Sequence, residues 1–221
     1  MSAIEEPLMP SVSTGALEPA KYFQEAASGV PLAVFGFGFS LFVLSFSNAQ
    51  IVPAAANLFV AVALGTGALG MLIGGLWEYR NGNLFGGTFG VGYACFLFTT
   101  ALMLRWIAPE ITKAAGANAF GDAFGAYLII WAVFTAFFAL GAWRINMPAF
   151  IAFALLVIVY AVSGIYNVSH PSGTGLLKIA GWVGVVDSCA AWYLGFGLVL
   201  NPMFDHDVLP LMPYPYNTGG R

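Results

Sequence analysis

Charge is what this sequence has least of. Only 8% of its 221 residues are Asp, Glu, Lys or Arg, seven basic against ten acidic, for a formal net charge of −3. Soluble domains carry about a quarter charged residues. A chain this poor in charge, with 60% hydrophobic residues, has too little polar surface to face water. A soluble enzyme and a disordered scaffold are excluded, and so is a nucleic-acid binder, because no basic run is present to hold phosphates. Cysteine is equally sparse. Cys95 and Cys189 lie far apart in apolar stretches and form neither a disulfide framework nor a CxxC metal or redox motif. His170 and His206 have no second ligand at helical spacing, so no metal site is expected. No Ser-His-Asp arrangement, HExxH or phosphate loop occurs, and neither a cofactor nor enzymatic activity is expected.

What the chain does have is long apolar runs. Crossing about 30 Å of hydrocarbon takes roughly 20 helical residues. That ruler predicts six spans, at 31–47, 54–77, 84–107, 124–143, 148–166 and 177–200. The expected fold class is an all-α integral membrane protein with six transmembrane helices per protomer. It divides into a leader at 1–29, a transmembrane domain at 30–200 and a tail at 201–221, expected to be extended because it holds four prolines. The leader is acidic at Glu5, Glu6, Glu18 and Glu25, where a cleavable signal would be basic. Its residues 18–27 are expected to lie at the interface as a short helix, with Tyr22 and Phe23 on the apolar side. An even number of spans puts both termini on one side. Lys21, Arg80, Arg144 and Arg221 against Arg105, Lys113 and Lys178 favour cytoplasmic termini in the plasma membrane. Trp77, Trp106, Trp143 and Trp182 fall where an interfacial belt is expected.

Small and polar residues inside the spans mark helix contacts and a pathway. Helices in lipid associate through close backbone approach. Gly70 and Gly74 in the second span, and Gly82, Gly86 and Gly90 at the start of the third, are the candidate packing stripe. Asn81, Asn83 and Thr88 are interleaved with the latter three, as suits a helix that lines a pathway. An ionisable side chain at membrane depth needs a cavity or a partner. Asp187, ten residues into the sixth span, reads either as a proton or substrate site or as a hydrogen-bonded carboxyl tying two helices. Glu78 ends the second span and reads as an interfacial carboxylate paired with Arg80, or as a pathway residue. Asn48, at the end of the first span, reads as an interfacial cap or a pathway residue.

The run Trp77-Glu78-Tyr79-Arg80-Asn81-Gly82-Asn83-Leu84-Phe85-Gly86, continuing to Phe89 and Tyr93, resembles the E-Y-x-x-G-N-x-F-G…F…Y signature of the acetate uptake transporter family. Tyr127, Trp131, Phe134 and Thr135 fit that family's fourth-helix pattern, and Ala180-Gly181-Trp182 with Ala191-Trp192-Tyr193-Leu194 fit its sixth. Asn201, Phe204 and Val208-Leu209-Pro210 fit its terminus, so the resemblance covers about 28–210. It implies a six-helix protomer assembled as a homo-hexamer, each protomer with its own pathway for acetate and, in some members, succinate. It also implies that a Phe, a Tyr and a Leu from three helices narrow that pathway. These fall on Phe37, Tyr93 and Leu156, with Leu155 the nearest rival to the last. Asn83, Thr88, Glu78, Asn48 and Trp131 are the further pathway candidates.

Two departures stand out. The family's N-P-x-P-L-G-L motif reads here as Ser28-Gly29-Val30-Pro31-Leu32-Ala33-Val34, and Asp187 occupies a place that is usually uncharged, which makes it a candidate for proton coupling. The chemistry suits the residues. A small carboxylic acid titrates near pKa 4, so at pH 7 only about one molecule in a thousand is neutral, and stripping water from the anion costs many kcal/mol. Donors such as Thr88, Asn83 and the Tyr93 phenol can replace that water, while an apolar ring of Phe37 and Leu156 breaks a continuous water file. The expected partners are a small carboxylate, the bilayer and further copies of the chain, with no nucleic acid. Passage of ammonia or ammonium, or a non-conducting sensory or structural role for the same fold, are the alternatives.

Overall fold

The computed structural model describes residues 27–214. Residues 1–26 and 215–221, which hold nearly all of the expected leader helix and Lys21 and Arg221 of the orientation count, lie outside the described residues. Among the described residues six helices are long and apolar enough to cross a membrane: α1 Val30–Asn48, α2 Ala55–Arg80, α3 Leu84–Ala115, α4 Ala117–Ala142, α5 Met147–Ser169 and α6 Gly175–Phe204. The protein is therefore an all-helical, multi-pass membrane protein, as the apolar runs predict. In α2 the ladder widens into a π-helix over Ala63–Leu69, and in α3 over Met103–Ile107.

Several boundaries differ from the sequence reading. The fourth helix starts at Ala117 and not at 124. The third helix does not stop at 107 but continues to Ala115, through a polar stretch that includes Glu110 and Lys113. Hydropathy falls there, yet Ala, Glu and Lys are good helix formers, so the helix outlasts its apolar run. Gly116, at φ 90°, makes the break before α4. The sixth helix passes Leu200 and ends at Asp205, a left-handed cap with φ 55°. Pro202 forfeits a backbone hydrogen bond in that last turn without ending the helix. Nor do residues 205–214 extend away. The Asn201 side chain accepts from the Leu209 N–H at 3.0 Å and donates to the Leu209 carbonyl at 2.9 Å. The Tyr193 hydroxyl donates to the Pro210 carbonyl at 3.0 Å, and Tyr214 stacks on Trp143 with centroids 4.8 Å apart. These contacts fold the tail back onto the bundle.

Glycines set two of the helix crossings. A Cβ on Gly74 would stand 2.5 Å from the Gly29 carbonyl oxygen, so the approach to α1 and the crossing with α2 need bare backbone on both sides. At the α2–α3 crossing a Cβ on Gly90 would stand 2.5 Å from the Gly75 Cα. The expected stripe is otherwise corrected. Gly70 meets only the Leu32 side chain and backbone at ordinary contact, 3.7 Å or more. Gly82 is not in a helix at all; it turns the chain between α2 and α3 at φ 77°, with open space around it. Gly86 packs against the side chains of Asn83 and Glu78 rather than against a helix backbone. Gly90→Ala is accordingly expected to destabilise by roughly 1–3 kcal/mol through overpacking, while Gly70→Ala stays near neutral. Thermal unfolding of the two detergent-solubilised variants separates them.

Close backbone packing joins α4 to α5, α5 to α6, α6 to α1, and α2 to both α1 and α3. Beyond the hairpin at Gly116, α3 meets α4 and α5 mainly through side chains. Phe89, Tyr93 and Phe96 of α3 contact Trp131, Phe134 and Phe138 of α4 and Phe153 and Tyr160 of α5, ring against ring. Large aromatic rings thus hold these helices apart, and the space they leave is where the cavities lie.

Candidate substrate pathway

Two cavities enter this space from opposite ends of the bundle. The first, about 450 Å³, is reached beside Ser28 at the start of α1, Asn83 at the start of α3 and Asn146 at the start of α5. Its wall is otherwise almost wholly apolar, with Val34, Phe37, Phe89, Phe153, Leu156 and Leu194 among the lining residues. The second, about 230 Å³, is reached from the far ends of α1 and α5, beside Asn48 and Asn167. Thr100, Tyr160 and Ser163 bring further polar groups to its wall. Phe37 lines both cavities.

Around Phe37 the packing is dense. Phe37 is 5% exposed, Leu156 1% and Tyr93 0%. The Phe37 ring stands edge-on to Tyr93 at 6.2 Å and to Phe89 at 6.4 Å. A buried hydroxyl needs a partner, and Tyr93 finds one in the Thr135 hydroxyl of α4 at 2.7 Å. That bond, with Trp131 packed on the Tyr93 ring at 5.4 Å, fixes the phenol between the two cavities, although Tyr93 lines neither. Leu156 shares the first cavity's wall with Phe37, whereas Leu155 lines neither cavity.

The polar candidates separate. Glu78 is not an interfacial carboxylate paired with Arg80; it is 3% exposed. It accepts hydrogen bonds from the Gly29 N–H at 2.7 Å, the Ser28 hydroxyl at 2.9 Å and the Asn83 amide. Arg80 lies instead across the Trp77 ring, 5.2 Å from its centroid. The turn at Gly82 folds Asn83 back toward Glu78, and Asn83 also caps α3 by accepting from the Gly86 N–H at 2.9 Å. Thr88 lines neither cavity: its hydroxyl donates to the Leu84 carbonyl at 2.8 Å and accepts from the Tyr79 hydroxyl at 3.0 Å. Trp131 is packing around Tyr93 and Phe96 rather than lining. Asn48 does line the second cavity. Asp187 is 0% exposed, and neither of its oxygens has a hydrogen-bond partner among the described residues. It lies within electrostatic reach of Tyr93 and Tyr160, one turn along α6 from Ala191 in the first cavity's wall.

Asn146 was not among the expected pathway residues. It caps α5 by accepting from the Ala149 N–H at 2.9 Å, and it lines the first cavity. An Asn followed at once by Met-Pro is a readable helix start. Thr100, Ser163 and Asn167 carry no such signal, because lone polar residues in apolar helices are as common at helix contacts as in cavities.

Residues 13–215 match the model of the GPR1/FUN34/yaaH family. The chain belongs to that family. Its similarity to the succinate-acetate/proton symporter SatP of Escherichia coli K12 is 30% identity over 185 residues, covering 84% of this chain and 95% of SatP. Acetate permease A of Emericella nidulans is 26% identical over 221 residues, covering 94% of this chain and 74% of the permease. The solved structure of the bacterial acetate channel SatP superposes with a TM-score of 0.76 at 29% identity, covering 85% of this chain and 99% of that one. The family resemblance carried by residues 77–93 is therefore borne out, and these family members are named as a symporter, a permease and a channel.

Proposed function

We propose that this protein conducts acetate and related small carboxylates, succinate among them, across the plasma membrane. It works as a homo-hexamer with one pathway in each protomer and with both termini in the cytoplasm. The observation that carries this reading is the shared wall at Phe37, where two cavities from opposite ends of one protomer approach each other.

Phe37, Tyr93 and Leu156 act as the constriction. Each cavity is wide enough for a two- to four-carbon acid with some of its water, and the aromatic plug between them is not. A continuous water file would leak ions, and a short apolar barrier interrupts it at modest cost to a small solute. The substrate trades part of its hydration for the amides of Asn83 and Asn146 at one end and the polar groups near Asn48 at the other. No cationic side chain among the described residues lines either cavity, so binding is weak and exit is fast.

Purified protein in liposomes should raise labelled acetate uptake at neutral pH well above that of protein-free liposomes. Uptake equal to the protein-free control overturns the reading. The apolar lining also suits a small neutral base, and ammonia added with acetate decides between them. Competition places both on one pathway; ammonia flux without acetate flux favours the second reading.

A further inference from the structure

We propose that Asp187 supplies the proton that accompanies each carboxylate through the constriction. This rests on the carboxylate-pathway reading above and assigns a chemical role within it.

The chain contains a direct comparison. The other carboxylate buried among the described residues, Glu78, accepts from three donors, as expected of a carboxylate with a structural task. Asp187 is more deeply buried and has no partner among the described residues. The tie between two helices, one of the two readings open from sequence, lacks the hydrogen bond it requires. The adjacent Ser188 hydroxyl donates to the Gly184 carbonyl at 2.8 Å, and the Tyr93 phenol is bonded to Thr135.

The titratable groups facing Asp187 are Tyr93 from α3 and Tyr160 from α5. The helix packed along α6, α1, has no titratable residue in its sequence. Tyr160 lines the second cavity, Ala191 lines the first, and Tyr93 packs against Phe37 between them. Asp187 thus stands beside the plug, where a solute meets it only on passing through.

An isolated ionised carboxylate at such a place costs several kcal/mol, so the resting side chain is the neutral acid. A substrate arriving as the anion brings the charge that the plug excludes. As it enters, the O–H bond of Asp187 breaks and an O–H bond forms on the substrate. The two carboxyl groups have similar intrinsic acidity, and a substrate anion at the plug is as poorly solvated as Asp187, so the transfer moves one charge between two dry sites and adds none. The neutral acid passes Phe37. The Asp187 carboxylate left behind takes a proton from water in the cavity the substrate has just left. One carboxylate and one proton cross together, with no net charge.

The test is acetate flux against pH, from about pH 5 to 8, in liposomes bearing wild type, Asp187→Asn or Asp187→Glu. Without a proton donor only the neutral acid passes, so flux through Asp187→Asn should fall about tenfold per pH unit above the substrate's own titration. Wild type should fall less steeply, and Asp187→Glu should restore part of the difference. Parallel profiles, or an equal loss at every pH, overturn the proposal while leaving acetate transport standing. No flux in wild type instead rejects the carboxylate pathway itself. Should Asp187→Asn not assemble, infrared difference spectra of wild type with ¹³C-carboxyl aspartate decide. A protonated aspartate band that bleaches on acetate addition supports the assignment, and its absence ends it.

Discussion

Phe37→Ala should join the two cavities into one passage, with faster acetate flux and loss of discrimination against larger carboxylates. Among the described residues the ring is the one side chain common to both walls, and its edge-on contacts with Tyr93 and Phe89 seal it in place. Truncation to a methyl group removes the barrier itself and leaves Tyr93 held from behind by Thr135 and Trp131. Deleting a buried Phe side chain costs about 3–5 kcal/mol in a densely packed core. Here the loss lies toward the lower end, because the ring already borders space on two sides. Liposome uptake of acetate and of a bulkier acid such as benzoate, with proton leak followed alongside, provides the readout. The expected pattern is more of all three. Leu156→Ala should have the same direction and a smaller effect, since it enlarges the first cavity without touching the wall of the second. Unchanged rates and unchanged exclusion in Phe37→Ala would remove the constriction from this part of the molecule.

The spans were legible because a membrane imposes a length and a composition that no other environment does. All six apolar runs became helices. The ends were less legible, since a helix stops where its backbone conformation changes and not where its hydropathy falls. Glu110 and Lys113 extend α3 through residues that read as a loop, and Gly116 ends it. The tail read as extended from its prolines, yet the side chain of Asn201 turns it back through two bonds to Leu209.

The site divides in the same way. Phe37, Tyr93 and Leu156 came from the family resemblance; Phe37 packs edge-on to Tyr93 and shares the first cavity's wall with Leu156. Thr88 and Asn83 read alike as donors at the start of one helix. They part because Asn83 is the cap that the Gly82 turn folds back onto Glu78, while Thr88, one turn further on, bonds to its own helix and to Tyr79. Glu78 was misread for a related reason. Arg80 is near it in sequence, but two of its three donors, Ser28 and Gly29, lie 50 and 49 residues away across the α1–α2 crossing.

Glu78→Ala is therefore expected to be the most destabilising single change at the first cavity's mouth. It leaves the Gly29 N–H, the Ser28 hydroxyl and the Asn83 amide without their shared acceptor. A buried donor left unpaired costs about 1–3 kcal/mol. Ser28 and Asn83 can turn toward water, but the Gly29 N–H is fixed by the start of α1 and cannot. A total of roughly 1–3 kcal/mol follows, set by that one stranded donor. Glu78→Gln keeps one acceptor oxygen and should fall between Ala and wild type. The family pattern has proline at the position of Gly29, and proline has no N–H to give. Gly29→Pro should weaken the same network while driving ring atoms toward the Gly74 carbonyl, which a Cβ at this position already approaches to 2.5 Å. Because both changes break one bond in common, the double variant should lose less than the sum of the single losses. Thermal unfolding of the four proteins in detergent measures the coupling. Strict additivity would mean that the Gly29 N–H contributes nothing through Glu78, and that Gly29 matters at this crossing only for its size.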